Sequence, residues 1–405
     1  MRFTILTQYY PPEVGAPQVR LAAFARELRR YGHNVHVVTA LPNYPSGVIQ
    51  PTYKGKILVC EHIDNIPVTR TWIYPATGRN IFRRSLNYFS FVLSSLFGLA
   101  SVPRADILFV ESPPLFLCLS AWLMAMLRRQ KLCINISDLW PDSVVAMGMM
   151  RENILVFLAR YLERWLYRQS WRICVVTEGM FKTLTQEKGV DPTKILFLPN
   201  GVDINLFSPQ APDLDYVYQN SLEGKYIFAY TGTHGYAQGL DIIIEAAKKI
   251  QNFSDIVFLF VGDGPEKNRL KSLVKKYKLR NVVFMDAQPP SAMPRIFALT
   301  HACIVPLRNL PLFQGAHPSK IFPALSCAKP VIYCGTGEAA ELIRTAQCGF
   351  VIPPEDEHAL ATAILCIYNN PDEAVNMGKR GRALVQREYS WSIIVERWLD
   401  SLIVV

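Results

Sequence analysis

The chain has 405 residues, half of them apolar, and this length favours two or three domains. Its net charge of +10 comes from the first half, because residues 1–200 hold 23 Lys and Arg against 13 Asp and Glu, whereas residues 201–405 hold 20 of each. The nine cysteines form no Cys-x-x-Cys pair and the N-terminus shows no secretion signal; we therefore expect a cytosolic protein with reduced thiols.

A basic N-terminal half suits an anionic partner such as nucleic acid, anionic lipid or a phosphate-bearing substrate, and ordinary solubilising charge explains it equally well. No predicted helix gathers Lys and Arg with interleaved aromatic residues, so we expect no nucleic-acid binding. The seven histidines are dispersed and the only Asp-x-Asp is Asp213-Leu214-Asp215. We therefore expect no metal and no other cofactor.

In the first half, apolar patterns of strand and helix alternate. The predicted elements are strands at Phe3–Gln8, Asn34–Thr39, Ile107–Val110, Cys133–Ile136 and Ile173–Val176, with helices after Gly15 and at Leu155–Tyr167. This alternation predicts a parallel sheet wrapped by helices. A further apolar stretch, Leu86–Val102, lacks charge and is flanked by arginines; its length is marginal for a membrane span, and its serines favour a buried or interfacial helix.

Around Phe197–Pro209 the pattern changes, and we place a linker there and in the following twenty or so residues. The alternation then restarts and predicts a second doubly wound domain. Its predicted elements are strands at Tyr226–Thr231, Val257–Val261, Val282–Met285 and Ala302–Pro306, with helices at Leu240–Ile250, Glu266–Tyr277 and Met293–Leu299. The last residues, Trp391–Val405, predict an apolar helix that needs a partner surface.

Ligands of open α/β sheets bind beyond the carboxyl ends of the strands, so the loops there are the candidate sites. The loop Thr231–Gly239 holds three glycines before a helix, and Gly262-Asp263-Gly264-Pro265 follows the next strand. Both could cradle phosphate or simply make tight turns. Neither extends to the dinucleotide fingerprint, which argues against a nicotinamide cofactor.

Two later loops add polar groups. His317-Pro318-Ser319-Lys320 precedes a helix and predicts either a phosphate clamp or a plain serine cap. Glu338 and Glu341 lie three residues apart after Gly335-Thr336-Gly337, and they suit either ribose hydroxyls or a helix N-terminus. In the first half, Ser137–Asp142 places two acids around Trp140-Pro141 at a strand end, a pattern that packing explains poorly.

These segments together resemble the family-four retaining glycosyltransferases of the GT-B fold, and the resemblance spans nearly the whole chain. It is closest to the branch of N-acetylfucosamine transferase-like enzymes of bacterial surface polysaccharide synthesis. The motifs that carry it are Pro12-Glu13-x-Gly15, Gly32-His33-x-Val35, Thr39-x-x-Pro42-x-Tyr44-Pro45, Asp138-Leu139-Trp140-Pro141, Pro199-Asn200-Gly201-Val202-Asp203, Gln238-Gly239, Gly262-x-Gly264-Pro265 and Pro318-Ser319-Lys320.

The resemblance implies two α/β Rossmann-like domains facing across a cleft: an acceptor domain at 1–203, a nucleotide-sugar donor domain at 204–388, and a helix at 389–405 that packs back toward the first domain. It implies catalytic roles for Asp138 and Lys320. Donor-binding residues would be Gly232, Thr233, Gly235, Gln238, Gly239, Gly262, Gly264, Pro318, Ser319, Lys320, Glu338 and Glu341. Acceptor-binding residues would be Glu13, Gly15, Tyr44, Trp140 and Asp142.

The chain departs from this family at four positions. Thr233 and Gln238 stand where many members carry Arg and Lys, and Gly315 and Pro323 replace a pair of glutamates of which the second meets the ribose; Glu338 or Glu341 could substitute. The leading hypothesis is a transferase acting on a lipid-linked or saccharide acceptor, with peripheral contact to anionic membrane at the inner face of the plasma membrane. The alternative is a degenerate GT-B protein that senses nucleotide-sugars or scaffolds an assembly; an epimerase is less favoured.

Overall fold

The chain divides into two units, one formed by Met1–Pro199 with Ile394–Val405 and the other by Asn200–Ile393. The computed structural model describes residues 1–44, 46–76, 81–148 and 150–403. Pro45, the last residue of the Pro-x-Tyr-Pro motif, and the last two residues of the expected C-terminal helix lie outside the described residues.

The first unit is built on a sheet of eight strands with the order β3-β4-β2-β1-β5-β6-β7-β8 in the described residues. The strands are β1 (Arg2–Leu6), β2 (Asn34–Ala40), β3 (Leu58–Ile63), β4 (Ile66–Thr71), β5 (Ile107–Ser112), β6 (Lys131–Ile136), β7 (Arg172–Val175) and β8 (Ile195–Phe197). Their pairs are parallel, except that β3 runs antiparallel to β4 at the edge.

The hairpin of β3 and β4 corrects the expectation of a purely parallel first sheet. It turns at Asp64 and Asn65, whose φ angles of 52° and 60° are left-handed, a conformation that these two residue types tolerate. Residues of β3 alternate between exposed and half-buried. A strand of this kind buries little surface, and the apolar runs that reveal the central strands are absent from it.

The helices of the first unit are α1 (Ala16–Arg30), α2 (Ile81–Ser101), α3 (Leu117–Arg128), α4 (Asp142–Ala146), α5 (Ile154–Gln169) and α6 (Glu178–Lys182). Helix α3 packs against both α2 and α5. All three contribute to one apolar core over the sheet, in which the rings of Trp122 and Trp165 meet at 4.7 Å. Among the described residues, no helix combines the length and the hydropathy that a membrane crossing requires.

The second unit contains a parallel sheet whose order is β11-β10-β9-β12-β13-β14 in the described residues. Its strands are β9 (Tyr226–Thr231), β10 (Ile256–Val261), β11 (Val282–Met285), β12 (Ala302–Pro306), β13 (Val331–Cys334) and β14 (Gly349–Ile352). Its helices are α7 (Leu214–Gln219), α8 (Asp241–Lys249), α9 (Lys267–Tyr277), α10 (Met293–Leu299), α11 (Ile321–Ser326), α12 (Glu338–Ala346), α13 (Glu357–Asn369) and α14 (Pro371–Leu384). Separate apolar clusters pack around this sheet, as a doubly wound fold requires.

Helix α7 lies inside the segment that the sequence assigns to a linker. The Asp213 carboxylate caps this helix by accepting from the Tyr216 N–H at 3.1 Å, and it pairs with Arg295 at 2.8 Å. At least one acid of the Asp-x-Asp sequence therefore serves a helix end.

The C-terminal helix α15 (Trp391–Ile403) belongs to the first unit from Ile394 onward. Trp398 is 1% exposed and packs edge-on against Phe24 and Phe109. Its indole N–H points to the Cys174 Sγ at 3.1 Å. The apolar pattern of the last residues thus corresponds to a helix buried on the first sheet.

Candidate functional site

Two glycine loops interlock beyond the carboxyl ends of β9 and β10. A Cβ on Gly262 (φ +146°) would lie 2.0 Å from the Gly232 carbonyl oxygen, and a Cβ on Gly264 (φ +155°) would lie 2.5 Å from the His234 oxygen. The His234 N–H donates to the Asp263 carbonyl at 2.8 Å. Glycine is therefore required here for close backbone approach, and the loops are tied rather than loose turns.

Lys320 reaches these loops from the start of α11. Its ammonium donates to the Tyr230 hydroxyl at 2.7 Å and lies 4.3 Å from the centre of that ring. A Cβ placed on Gly232 would be 3.5 Å from the Lys320 Nζ. Burial lowers the pKa of Lys320 to about 7, and among the described residues no carboxylate pairs with it. Lys320 is half-buried, and a partly shielded cation without an anionic partner is a candidate anion-binding group.

Arg308, in the loop after β12, is a second cation at this edge that sequence reasoning missed. Its guanidinium donates to the Tyr236 carbonyl at 2.9 Å and stacks 4.3 Å from the Tyr236 ring centre. Its own backbone N–H donates to Ala237 at 3.0 Å, and Glu355 accepts from it at 3.1 Å. Arg308 therefore holds the glycine loop in place. Its position directly after a strand end was the available signal.

Two imidazoles, one buried and one half-buried, flank the site. His234 is 0% exposed, and neither its ring nitrogens nor those of His317 have a hydrogen-bond partner in the described residues. Burial, reinforced at His234 by Lys267, lowers the pKa of both histidines to about 4. Both rings are therefore neutral at pH 7, and their nitrogens are unsatisfied polar atoms in the interior.

The remaining donor-binding candidates of the first glycine loop are Thr233, Gly235, Gln238 and Gly239. The Thr233 carbonyl accepts from the Tyr230 hydroxyl at 2.5 Å, and a Cβ on Gly235 would meet the Gln238 side-chain oxygen at 2.6 Å. Gly239 is left-handed (φ +56°) and faces Arg308. The loop thus presents no charged side chain of its own, and its nearby cations come from other loops.

The residues of the loop before α11 differ in solvent exposure. Ser319 is exposed and Pro318 half-buried, while the Asn200 amide holds the neighbouring His317 carbonyl at 3.0 Å. Pro323 occupies the first turn of α11, where its missing N–H breaks no helix bond. Gly315 ends a short 3₁₀ turn (Pro311–Gly315).

Glu338 and Glu341 have different surroundings at the start of α12. Gly337 before them is left-handed (φ +78°), and a Cβ there would lie 1.8 Å from the Gln314 carbonyl oxygen. The Glu338 carboxylate lies 3.7 Å from the His317 ring, whereas Glu341 is 74% exposed at its side chain and faces Arg344 at 3.8 Å. Of the two, Glu338 is therefore the one that lies beside His317.

In the first unit, the acceptor-binding candidates Glu13 and Tyr44 contact each other through the backbone. One Glu13 oxygen accepts from the N–H groups of Asn43 and Tyr44, both at 2.7 Å, and burial raises the pKa of Glu13. The Tyr44 side chain is 43% exposed. Gly15 directly precedes α1, and a Cβ there would lie 2.5 Å from the Gln18 side-chain oxygen. Glu13 therefore fixes the conformation of the Asn43–Tyr44 backbone.

Asp138 follows β6 and is half-buried. Its carboxylate accepts from the Ser143 hydroxyl at 2.9 Å, and burial raises its pKa despite that bond. The Trp140 ring meets Phe116 edge-on at 5.8 Å. Asp138 is thus a partly shielded carboxyl at a strand end, which is compatible with contact to a substrate.

Asp142 lies in an ion-pair network. It accepts from Lys188 at 2.6 Å and from Arg160 at 2.7 Å. Lys188 also binds the fully buried Glu163 at 2.6 Å. Burial alone would raise the pKa of Asp142, but these two cations outweigh it and hold the pKa below its usual range. This geometry favours a structural role for Asp142 over its expected contact with an acceptor.

Beyond the carboxyl ends of the strands of the second sheet lie Gly232, Gly262, Gly264, Lys320 and Glu338. These groups supply close backbone approach, one carboxylate, and one cation that no carboxylate of the described residues pairs with. A phosphorylated ligand whose hydroxyl groups need an acceptor matches this set chemically.

Two family models match the chain, the "Glycosyl transferase 4-like domain" at residues 15–201 and "Glycosyl transferases group 1" at residues 217–384. The chain therefore belongs to the glycosyltransferase family that these two domains define. The expected GT-B fold is confirmed. The first match spans strands β2–β8 of the first sheet, and the second spans strands β9–β14 of the second sheet.

Relatives along nearly the whole chain agree with this family. The chain is 26% identical over 379 residues to the protein of Escherichia coli named "Putative colanic acid biosynthesis glycosyl transferase WcaI", covering 90% of this chain and 91% of that one. The sucrose-phosphate synthase structure from Thermosynechococcus elongatus has a TM-score of 0.78 at 18% identity and covers 99% of this chain and 98% of its own. The Anabaena HepE structure with UDP-glucose has a TM-score of 0.74 at 15% identity and covers 99% and 100%.

Proposed function

We propose that this protein is a retaining, metal-independent glycosyltransferase that moves a sugar from a nucleotide-sugar to a saccharide or lipid-linked acceptor in surface polysaccharide synthesis. One observation carries the proposal: the Lys320 ammonium lies beside the interlocked glycine loops and has no carboxylate partner in the described part of the chain. The diphosphate of a donor would supply the missing negative charge.

The proposed chemistry places positive charge where negative charge develops. As the bond from the sugar to the diphosphate breaks, the acceptor oxygen bonds to the same sugar carbon on the same face, and its proton passes to the departing diphosphate. Lys320 and the loop N–H groups stabilise that leaving group. In other enzymes, removing one hydrogen-bond donor that stabilises developing negative charge lowers the rate about a hundredfold or more. Because these groups supply the charge, we propose no metal cofactor.

Further observations suggest how the donor is held, which donors to test first and on which side of the membrane the reaction takes place. We propose that Glu338 holds the ribose hydroxyls in place of the glutamate that Pro323 replaces. UDP-linked N-acetylhexosamines are the first donors to test, because of the Asp138-Leu139-Trp140-Pro141 resemblance and because HepE is named with UDP-glucose. The free thiols of all nine cysteines support a reaction on the cytosolic side of the membrane.

The test is a panel of UDP-, GDP-, dTDP- and ADP-sugars, with release of the nucleoside diphosphate measured with and without membrane lipid extract as acceptor. We expect acceptor-dependent release with one base, reduced about a hundredfold or more in Lys320→Ala. The matched control is Lys275→Ala, at an exposed lysine of α9 in the same unit. Equal release by both variants would contradict the role of Lys320.

A second candidate function is a nucleotide-sugar sensor or scaffold. Gly315 and Pro323 favour it, because neither side chain offers the carboxylate found in the family at those positions. Saturation-transfer NMR separates the two functions. Donor binding that persists without any release in the presence of acceptors would select the sensor.

A further inference from the structure

The outer surface of α2 consists of apolar side chains and arginine. Its exposed residues between positions 82 and 100 are Phe82, Arg83, Arg84, Leu86, Phe89, Leu93, Phe97 and Ala100. The large apolar members recur every three or four residues and form one stripe along the helix. Leu93 is 64% exposed and Phe97 is 74% exposed, so this stripe is not covered by the described part of the chain.

Helix α5 has the same character. Its exposed residues are Ile154, Leu155, Phe157, Leu158, Tyr161, Arg164, Arg168 and Gln169. Apolar side chains fill the first two turns and arginines follow them. The sequence expectation of membrane contact rested on the basic first domain and on Leu86–Val102, so the exposed apolar residues of α5 are an addition that the structure makes.

Helix α3 joins the two surfaces because it packs against both α2 and α5. Phe116, directly before α3, meets Phe89 of α2 at 4.8 Å. At its other end, Met126 and Leu127 of α3 are 55% and 65% exposed. We call the exposed apolar and arginine residues of α2, α3 and α5 the three-helix face.

Acidic side chains are almost absent from these helices. The only Asp or Glu within α2, α3 and α5 is Glu163. It is buried and accepts from Lys188 at 2.6 Å and from Tyr167 at 2.8 Å. The charge exposed along the three helices is therefore arginine alone, next to uncovered apolar stripes.

We propose that the three-helix face docks this protein onto an anionic lipid bilayer. Interfacial helices bury their apolar side in the boundary between headgroups and acyl chains, and arginines bind lipid phosphates. A second copy of the chain suits the face less well, because arginine would meet arginine across a two-fold contact. The inference goes beyond the transferase proposal, and vesicle binding and nucleotide release test the two separately.

Flotation with vesicles tests the proposal on the full chain. We expect the protein to float with vesicles of phosphatidylcholine and phosphatidylglycerol at low salt, and several-fold less with phosphatidylcholine alone. Raising the salt to about 0.5 M should reduce the floating fraction, because the Debye length then falls to a few ångströms. Equal flotation with both vesicle types, or none with either, would overturn it.

Variants locate the contact. Leu93→Asp with Phe97→Asp should reduce flotation several-fold, whereas Leu214→Asp, at a 77% exposed leucine of the second unit, should not. Arg164→Gln with Arg168→Gln should lower binding to anionic vesicles, and the matched pair Lys275→Gln with Lys276→Gln should leave it unchanged. Circular dichroism checks that each variant folds.

Two outcomes would overturn the assignment of the face. One is equal loss of flotation in the control and test variants, which would indicate a diffuse charge effect. The other is a dimer by analytical ultracentrifugation that the Leu93→Asp with Phe97→Asp variant abolishes, without vesicle binding by the parent protein. That outcome would make the face an interface between copies.

Discussion

Each unit shields one lysine from solvent, and the two lysines differ in their hydrogen-bond partners. In the first unit, Lys188 is 5% exposed at its side chain and bonds both Asp142 and Glu163. In the second unit, Lys320 is also shielded, but its hydrogen-bond partner among the described residues is the neutral Tyr230 hydroxyl. One cation is paired within the fold, and we propose that the other binds a ligand.

This contrast separates structural from functional charge. A buried cation costs free energy unless it is paired, so an unpaired one persists only where another property is selected. The His234 ring, neutral and without a hydrogen-bond partner in the described residues, lies 5.7 Å from the ring of Tyr230, which bonds Lys320. Charge pairing therefore distinguishes the region that stabilises this protein from the region that we propose binds the donor.

The largest expected effect concerns the paired region. Lys188→Met leaves Glu163 buried without its cation, and we expect the free energy of unfolding to fall by about 3–5 kcal/mol. Urea unfolding followed by tryptophan fluorescence measures it. Lys182→Met, at an exposed lysine of α6, is the control. A loss of under about 1 kcal/mol in Lys188→Met would break the comparison.

The second prediction concerns the unpaired cation. Lys320→Met removes a charge that has no carboxylate partner, so we expect a free energy of unfolding unchanged within about 1 kcal/mol, or increased. Affinity for the nucleoside diphosphate should fall about tenfold or more, because one charge-assisted contact is lost. Calorimetric melting and titration measure the two quantities. A destabilisation as large as that of Lys188→Met would mean that Lys320 supports the fold.

The smallest effect distinguishes the two glutamates of α12. Glu338→Gln should weaken donor binding about tenfold if this carboxylate accepts from the ribose hydroxyls, since hydrogen bonds to charged groups contribute about 1.5–3 kcal/mol. Glu341→Gln should change it less than about twofold, because Glu341 is exposed and faces Arg344. Identical effects of the two substitutions would remove Glu338 from the site.

Much of the second unit was predictable from the sequence. Strands β9 and β12 have the predicted bounds, because parallel strands buried on both faces appear as short apolar runs between turn residues. The hairpin of β3 and β4 was missed, since its outer strand is only half covered. Helix α7 was missed because a single turn and a half carries no readable periodicity.

The candidate site was predictable only as far as its local signals reach. The glycine loops were singled out because they follow strand ends, and Lys320 because it precedes a predicted helix. Arg308 was missed because its contact with Tyr236 joins residues 72 positions apart. The pairing of Asp142 with Lys188, 46 positions away, was equally hidden from sequence reasoning.

The most direct test of the central claim is the proton balance of nucleoside diphosphate binding at pH 8, measured by calorimetry in two buffers of different ionisation enthalpy. With a pKa of about 7 in the free protein, Lys320 is mostly neutral at this pH, and a bound diphosphate would raise that pKa. We predict uptake approaching about one proton, and affinity that weakens as pH rises through 7. No proton uptake, or the same uptake in Lys320→Met, would contradict the account.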